Sequence, residues 1–186
     1  MCYNNCAMGT DMDLTNNSTV SKLLLLYVCD KIDMPLTEDT ITEMCCFRNN
    51  WLSFITCKEV IAELLDTSFL IATTKPNTKT FYSITADGRS CLNYFFMKIP
   101  NSLREEIVAY IKKNRMDFKR KQEYIADYFQ NLDGTYTVLM RIIDTTGIKF
   151  EVKTIVDNRA TARTMYKKWE EKAGNVYASM YDILVD

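Results

Sequence analysis

The sequence contains no histidine among its 186 residues. Histidine is the commonest general base in enzymes and a frequent ligand of catalytic metals, so its absence excludes Ser-His and Cys-His nucleophilic schemes and histidine metal sites. Catalysis by Asp, Lys or Tyr alone is still chemically open, but no arrangement of these residues points to it. We therefore expect a protein that acts by binding and not by catalysis.

Glycine is also scarce, with five residues scattered along the chain. A phosphate-binding loop needs closely spaced glycines because the backbone must approach the phosphate groups, so no nucleotide site of that kind is predicted. Carboxylate pairs occur at Glu105-Glu106 and Glu170-Glu171, but both pairs lie beside basic residues in helical segments. Such pairs are typical of a solvated helix surface. The sequence predicts no cofactor.

No long apolar run occurs. The longest, residues 23–28, is much shorter than the ~18 apolar residues of a membrane span, and Asp30 and Lys31 follow it closely. The N-terminus lacks the basic region and apolar core of a signal peptide. The formal net charge is −1, so affinity for nucleic acid would have to come from local clusters of Lys and Arg. These features predict a soluble, cytoplasmic protein with no membrane partner.

The seven cysteines are an odd number without regular spacing, which does not indicate a disulfide framework. Five of them lie in helical apolar patterns, where a thiol behaves as a small hydrophobic side chain, and we expect them to be buried and unpaired. Cys2 and Cys6 would need two further ligands to hold a metal, and the chain offers no candidates. No metal site is predicted.

Apolar residues recur at helical spacing in three consecutive segments that begin at Val20. Pro35 ends the first helix. Thr37 caps the second, and the third runs over about residues 53–67. The predicted buried positions are Ile41, Met44, Cys45 and Phe47 in the second helix, and Ile55, Val60, Ile61, Leu64 and Leu65 in the third.

Two β-branched and aromatic segments, residues 69–74 and 80–85, flank a polar tip at residues 75–79 and predict a hairpin. Thr85 then caps a fourth helix. Three helices, a hairpin and a further helix follow the order of a winged helix-turn-helix domain. The exit from the second strand, Phe81-Tyr82-Ser83-Ile84-Thr85-Ala86-Asp87-Gly88-Arg89, resembles the corresponding segment of MarR-like and PadR-like regulators.

The chain more closely resembles an uncharacterised bacterial family, domain-of-unknown-function family 4364. The residues that carry the resemblance lie in four segments: Lys22-Leu23-Leu24-Leu25-Leu26-Tyr27, Asp33-Met34-Pro35-Leu36-Thr37, the strand exit above, and Ile99-Pro100 with Leu103-Arg104-Glu105-Glu106-Ile107. The resemblance implies a winged-helix domain followed by a C-terminal α+β part with an inferred regulatory role. It implies no catalytic residue and no ligand.

The second half of the chain predicts a different arrangement. A helix from Ser102 leads into a basic stretch, three strand-like segments follow, and a long helix begins near Asn158. Asp133-Gly134 is a two-residue hairpin signal between the first two strands. We expect an α+β protein in which an N-terminal winged helix-turn-helix is followed by a three-stranded antiparallel meander, packed by the long C-terminal helix. The predicted units are a flexible arm at 1–18, the winged helix at 19–98, a helix with a basic connector at 99–121 and the α+β domain at 122–186.

The predicted function is that of a DNA-binding transcriptional regulator. The recognition helix of such a domain places its N-terminal residues at base edges in the major groove. The charge is unfavourable, since residues 20–98 carry eight basic and nine acidic side chains, and phosphate neutralisation supplies most non-specific affinity. The predicted contacts in this domain, with Cys57 beside them at the start of the third helix, are Arg48, Asn49, Asn50, Ser53, Thr56, Lys58, Lys75, Asn77 and Lys79.

The densest basic cluster has six cations and one carboxylate, Asp117, within residues 112–121. It is either a phosphate-contacting segment that adds the charge missing from the winged helix or a solvated connector, and the sequence does not separate the two. The cations are Lys112, Lys113, Arg115, Lys119, Arg120 and Lys121.

The apolar stripe of the C-terminal helix has two interpretations as well: packing on its own sheet or pairing with a second copy in a homodimer. A small-molecule effector site is a further hypothesis for the C-terminal domain, lined by Tyr124, Tyr128, Phe129 and Tyr136. The alternative function is a winged-helix adaptor for another protein, or a small-molecule sensor, that does not contact DNA directly. The predicted dimer contacts are Trp169, Val176, Tyr177, Met180 and Leu184.

Overall fold

The computed structural model describes residues 18–185, so the predicted N-terminal arm lies outside it except for Ser18. Over these residues the fold is α+β, with six α-helices and two three-stranded antiparallel sheets. In chain order the elements are α1 Ser18–Ile32, β1 Leu36–Thr37, α2 Glu38–Thr42, α3 Phe54–Asp66, β2 Leu70–Thr73, β3 Phe81–Ile84, α4 Ala86–Phe95, α5 Asn101–Glu123, β4 Tyr124–Gln130, β5 Tyr136–Asp144, β6 Gly147–Val156 and α6 Arg159–Val185.

Helix α1 is the centre of the first hydrophobic core. Every residue from Leu23 to Cys29 is buried, so the helix is covered on all sides along this stretch and is more than the single-stripe helix that its spacing predicts. Helices α3, α4 and α5 and strand β3 surround it. A helix that is apolar all round is stable in water only when neighbours cover it completely, as they do here.

Helix α2 begins at the predicted cap, where the Thr40 N–H donates to Thr37 Oγ1 at 3.3 Å. It continues as a π-helical segment, Glu43–Arg48, in which the predicted core positions Met44 and Cys45 are fully buried. Phe47, predicted to be buried, is 72% exposed. The wider π-helical turn changes the angle between successive side chains, so the α-helical spacing no longer applies at this position.

The first sheet has the order β1-β3-β2, and the predicted hairpin forms its β2 and β3 strands. Thr85 caps α4 as predicted, because the Gly88 N–H donates to Thr85 Oγ1 at 3.0 Å. Gly88 itself lies against the backbone of Phe69: a Cβ atom at this position would be 2.3 Å from the Phe69 carbonyl oxygen. The hairpin and α4 can therefore approach this closely only because residue 88 has no side chain.

Helix α5 is continuous over 23 residues, so the basic stretch at 112–121 lies on a helix and not in an irregular connector. Ile107, Ile111 and Phe118 anchor it in the first core. Arg115 also attaches it to the end of α1, donating from Nε to the Ile32 carbonyl at 2.7 Å. The helix that carries the basic side chains is therefore attached to the N-terminal unit.

The second sheet is the predicted meander, β4-β5-β6, and α6 packs on it. The loop after β4 differs from the predicted two-residue turn. The Asn131 N–H donates to the Thr135 carbonyl at 2.8 Å, which leaves three residues in the loop, with Gly134 at a φ of 85°. A turn closed by a left-handed glycine is the common three-residue hairpin. The buried residues of this second core are Val138, Met140, Ile142, Ala162, Trp169 and Ala173.

Between residues 18 and 185, no helix combines the length and the hydropathy needed to cross a membrane.

Candidate nucleic-acid interface

Two of the predicted contact residues lie together at the start of α3. Ser53 is the N-cap of this helix, since the Thr56 N–H donates to its Oγ at 3.1 Å. The two hydroxyl groups are also hydrogen-bonded to each other at 2.7 Å. The start of α3 therefore carries small polar side chains, of which Ser53 is exposed and Thr56 half-buried.

The phase of α3 differs from the prediction at two positions. Cys57, Val60, Ile61 and Leu64 form the buried stripe, and Cys57 has no exposed surface, so it cannot be a contact residue. Ile55, predicted to be buried, is 70% exposed, because it lies two residues before Cys57 and therefore on the opposite side of the helix. The exposed charged side chains of the helix are Lys58, Glu59, Glu63 and Asp66.

The carboxylates of α2 and its extension form ion pairs with four predicted DNA-contacting cations, Lys58, Lys79, Arg48 and Lys121. Lys58 of α3 forms an ion pair with Glu38, and Lys79 of the hairpin lies 3.5 Å from Asp39. These contacts bring α3 and the hairpin together on the acidic first turn of α2. The same pairing reduces the positive potential that Lys58 and Lys79 offer to a phosphate group.

Glu43 holds the third predicted cation, Arg48, at 2.6 Å and also binds Lys121 of α5 at 2.9 Å. Partial burial acts to raise the pKa of Glu43, but the hydrogen bonds from Lys121 and Arg48 outweigh it and lower the pKa. The Arg48 guanidinium also lies 5.7 Å from the ring centroid of Phe118. Arg48 and Lys121 therefore join α5 to the π-helical segment and are not aligned with the outer face of α3.

The two asparagines before α3 have different roles. The Asn49 side chain donates to the Met44 carbonyl at 2.8 Å and so closes the end of the π-helical segment. Asn50 adopts a φ of 53°, a left-handed conformation that asparagine tolerates, and its side chain is exposed. Of the pair, only Asn50 is available to a partner.

The hairpin tip presents Lys75 and Asn77. The Thr78 N–H donates to the Lys75 carbonyl at 3.1 Å, and Asn77 has a φ of 60°, so residues 75–78 form the predicted turn. Lys75 is exposed and forms no ion pair with any residue from 18 to 185. It is a cation that the described part of the protein leaves without a carboxylate partner.

The basic residues of α5 fall into two groups. Arg115 binds the backbone at the end of α1, Arg120 lies 3.7 Å from Asp117, and Lys121 binds Glu43. The other three cations are exposed and form no salt bridge in the described chain, although one of them, Lys119, acts on the Glu123 carboxylate and opposes the rise that burial causes in the pKa of Glu123. The three cations are Lys112, Lys113 and Lys119.

The predicted dimer contacts on α6 also fall into two groups, those that pack within their own chain and those that are accessible. Trp169 is 3% exposed, and its indole N–H donates to the Arg141 carbonyl at 3.0 Å, so it belongs to the core of its own chain and is not available to a partner. Tyr177 packs on Phe150 at a ring-centroid distance of 5.6 Å. The helix extends past the sheet here, which leaves Val176 and Leu184 exposed and Met180 half-buried.

An apolar surface that the sequence does not predict lies between the π-helical segment and α3. Phe47 and Phe54 stack with ring centroids 5.9 Å apart, and Ile55 is exposed beside Phe54 in the chain. We call Phe47, Phe54 and Ile55 the α3 apolar patch. Sequence spacing gives no signal for it, because Phe47 and Ile55 fit the apolar periodicity of the buried positions.

The four aromatic residues predicted to line an effector site do not converge on one cavity. Tyr128 packs against Tyr136 and Tyr166, with ring-centroid distances of 6.5 and 5.6 Å. Phe129 is exposed. Tyr124 lines a cavity between the hairpin, the end of α5, strand β4 and helix α6.

The described cysteines are unpaired thiols. Burial, with a smaller contribution from the Asp30 carboxylate, raises the pKa of Cys29 to about 12, and burial also raises the pKa values of Cys45 and Cys57. Such thiols are not nucleophiles at neutral pH. Residues 18–185 contain no cluster of carboxylates and cysteines suited to a metal ion. Cys2 and Cys6 lie outside the described residues.

Taken together, the described residues define an α+β protein whose N-terminal unit presents a helix and a hairpin tip to solvent. Residues 21–184 match the model of a family described as a domain of unknown function, domain-of-unknown-function family 4364. Because the match covers most of the chain, the protein belongs to this family. No curated protein and no solved structure matches the chain.

Proposed function

We propose that residues 19–98 form a winged helix-turn-helix domain and that the protein is a non-catalytic DNA-binding regulator. The support is the element order α1-β1-α2-α3-β2-β3 together with the sheet order β1-β3-β2. In this arrangement α3 is the recognition helix, whose N-terminal end enters the major groove, and the β2–β3 hairpin is the wing. The function is inferred by analogy with other proteins that have the winged-helix architecture.

The observation that carries the proposal is a set of four exposed lysines that form no salt bridge in the described chain. One is at the wing tip and three are on α5, which is fixed to the N-terminal unit by Arg115. Unpaired ammonium groups on a rigid scaffold are suited to contact phosphates, while Asn50, Ser53 and Thr56 face the groove. The four lysines are Lys75, Lys112, Lys113 and Lys119.

The ion pairs of other predicted DNA-contacting cations limit the affinity of one protomer for DNA. Lys58, Lys79 and Arg48 are neutralised by Glu38, Asp39 and Glu43, so few phosphate contacts remain in one protomer. A protein with few contacts per half-site gains affinity by binding two half-sites at once. We therefore propose a homodimer.

The end of α6 is the surface that we assign to this dimer. No residue of α6 after Ala173 is buried, although Val176, Met180 and Ile183 continue the four-and-three spacing of a helix-pairing seam. In an antiparallel pairing, Val176 would lie opposite Met180 of the partner subunit, and the symmetry would repeat the contact. The α6 helix of a second copy, running antiparallel, thus presents apolar residues at the same spacing.

A second candidate function is supported by the α3 apolar patch. Phe47 is 72% and Ile55 70% exposed beside the end of α3, while Glu59 and Asp66 further along the helix form no ion pair with described residues. An apolar surface next to carboxylates is suited to a basic, amphipathic protein segment more than to a phosphate backbone. The second candidate is therefore a winged-helix adaptor that binds a protein.

The test is binding of the full chain to heterologous duplex DNA at low and then moderate salt. The regulator should bind at low salt and lose affinity steeply. Replacing Lys75, Lys112, Lys113 and Lys119 by Gln should reduce the logarithmic salt slope by roughly 0.9 for each phosphate contact that is lost. Replacing Lys153 and Lys168, exposed lysines of β6 and α6, should leave the slope unchanged.

A gain-of-affinity variant makes the same test in the opposite direction. The double substitution Glu38→Gln and Asp39→Asn removes two negative charges and releases Lys58 and Lys79. The regulator should bind DNA more tightly and with a steeper salt dependence. If neither the natural protein nor this folded variant binds DNA at low salt, the regulator proposal is wrong and the adaptor is favoured.

A further inference from the structure

A cavity of about 390 Å³ lies where the wing, the end of α5, strand β4 and helix α6 meet. Its volume is in the range of small-molecule sites, roughly 300–1,000 Å³. Because its walls come from both the N-terminal and the C-terminal domain, a molecule bound there would contact the proposed DNA-binding domain and the C-terminal domain together.

The charged lining of this cavity is unbalanced. Three lysines from three elements line it, Lys79, Lys121 and Lys167, and Glu170 is the carboxylate among the lining residues. Lys79 and Lys121 have carboxylate partners outside the cavity, Asp39 and Glu43, whereas Lys167 forms no ion pair within residues 18–185. Ammonium groups converging on a partly enclosed space attract an anion, because the surrounding protein screens their charge less than bulk water does.

Aromatic side chains supply the remaining wall. Tyr166 and Trp169 of α6 line the cavity together with Tyr124, Ile125 and Ala126 of β4, and Trp169 also belongs to the second core. An aromatic wall next to cations is suited to a ligand with an apolar ring and a charged substituent. The excess of cations over carboxylates favours a doubly charged substituent.

We propose that this cavity binds a small organic dianion, a phosphate ester or a dicarboxylate, with Lys167 as its principal charged contact. Lys79 gives the site a connection to the wing, since it lies between the wing tip and β3 and also pairs with Asp39 at 3.5 Å. A bound dianion competes with Asp39 for the Lys79 ammonium group. Ligand and DNA affinities are then linked reciprocally, and this last step rests on the proposed function.

The test uses the full chain and calorimetric titration with phenyl phosphate and with phthalate, and phenol serves as the uncharged probe. We expect at least one dianion to bind at micromolar to millimolar concentration and phenol not to bind. Lys167→Ala should weaken that binding about tenfold, as expected for the loss of one charge-assisted contact. Lys168→Ala, on the next residue of α6 and outside the cavity lining, is the matched control and should leave affinity unchanged.

The proposal is overturned if neither dianion binds, or if Lys167→Ala and Lys168→Ala have equal effects in chains with unchanged melting temperatures. A preference between phenyl phosphate and phthalate identifies which dianion the site takes. Because the titration contains no DNA, its outcome is independent of whether the protein binds DNA. The link to the wing is tested separately, by measuring DNA affinity with and without a saturating concentration of the dianion that binds.

Discussion

The side chain of Gln122, one residue before the end of α5, closes the free edge of strand β1. Its Oε1 accepts the Thr37 N–H at 3.1 Å, and its Nε2 donates to the Pro35 carbonyl at 2.7 Å. The amide thus supplies both a donor and an acceptor to the outer side of β1, as a neighbouring strand would. This contact attaches the end of α5 to the first sheet, which carries the proposed wing. It also covers the β1 edge of that sheet, which would otherwise be open to pairing with another chain.

Replacing Gln122 should destabilise the protein. Gln122→Leu keeps the approximate volume but leaves the Thr37 N–H and the Pro35 carbonyl without this partner in a buried position, which costs about 1–3 kcal/mol. Urea unfolding should show a lower free energy of unfolding with an unchanged denaturant slope. Gln130→Leu, on an exposed position of β4, is the matched control, and an equal loss in both variants would contradict the role given to Gln122.

Gly88→Ala should also destabilise the protein. The new Cβ would lie 2.3 Å from the Phe69 carbonyl oxygen and 3.0 Å from Ile84 Cγ1, so the hairpin and α4 must move apart. The expected cost is about 1–3 kcal/mol, although alanine has the higher helix propensity. Thermal unfolding measures it, with Asn93→Ala on the exposed side of α4 as control. A melting temperature raised by Gly88→Ala would show that the close approach is absent.

Asp144 at the end of β5 should make stability depend on acid pH. Burial acts to raise its pKa, but hydrogen bonds from Lys149 and Thr146 outweigh this and lower the pKa from 3.8 to about 2. A lowered folded-state pKa means that the carboxylate stabilises the fold above about pH 4, and that this contribution is lost as the pH falls toward 2. Because solvent screens this partly exposed carboxylate, its contribution at neutral pH is about 1 kcal/mol.

The variant Asp144→Asn should therefore be less stable than the natural protein at neutral pH and equally stable only below about pH 2. Urea unfolding at several pH values gives this comparison. Asp127→Asn, an exposed position of β4, is the control and should show no pH-dependent difference of this size. A constant difference at all pH values would mean that the charge of Asp144 does not matter.

Met180→Lys should disrupt the proposed homodimer. The substitution places a charge in the exposed α6 seam, opposite the apolar Val176 of the partner subunit, and the symmetry repeats this unfavourable contact. Light scattering at micromolar concentration should show a dimer for the natural chain and a monomer for the variant. Ala178→Lys, on the opposite side of the same helix, should leave the dimer intact. A monomeric natural chain under these conditions would remove the dimer proposal.

The sequence predicted the starts of α2, α3, α4 and α6 because the signals are local. Thr37, Ser53, Thr85 and Asn158 each accept a hydrogen bond from a backbone N–H three residues ahead, and such a contact depends on a few residues only. The α+β class and the meander followed for the same reason, since alternation and helical spacing are properties of short segments.

The candidate site was predictable only in part. Ser53 and Lys75 lie at exposed positions, as the element order predicts, and Thr56 is half-buried beside Ser53. The pairing of Lys58 with Glu38 was not predictable, because twenty residues and a change of chain direction separate the partners. Which carboxylate pairs with which cation depends on how the helices pack. Spacing along the sequence does not give the distance between side chains on different helices.

The sequence by itself determined the element order, the helix caps and the absence of histidine chemistry, since these depend on residue type and near neighbours. Only the tertiary structure decided which cations are neutralised, that Trp169 is buried in its own chain, that Phe47 and Ile55 face solvent, and that three lysines meet around one cavity. The physical reason is the same in each case. Burial and pairing are set by the packing of segments far apart in the chain, and that packing is a property of the whole fold.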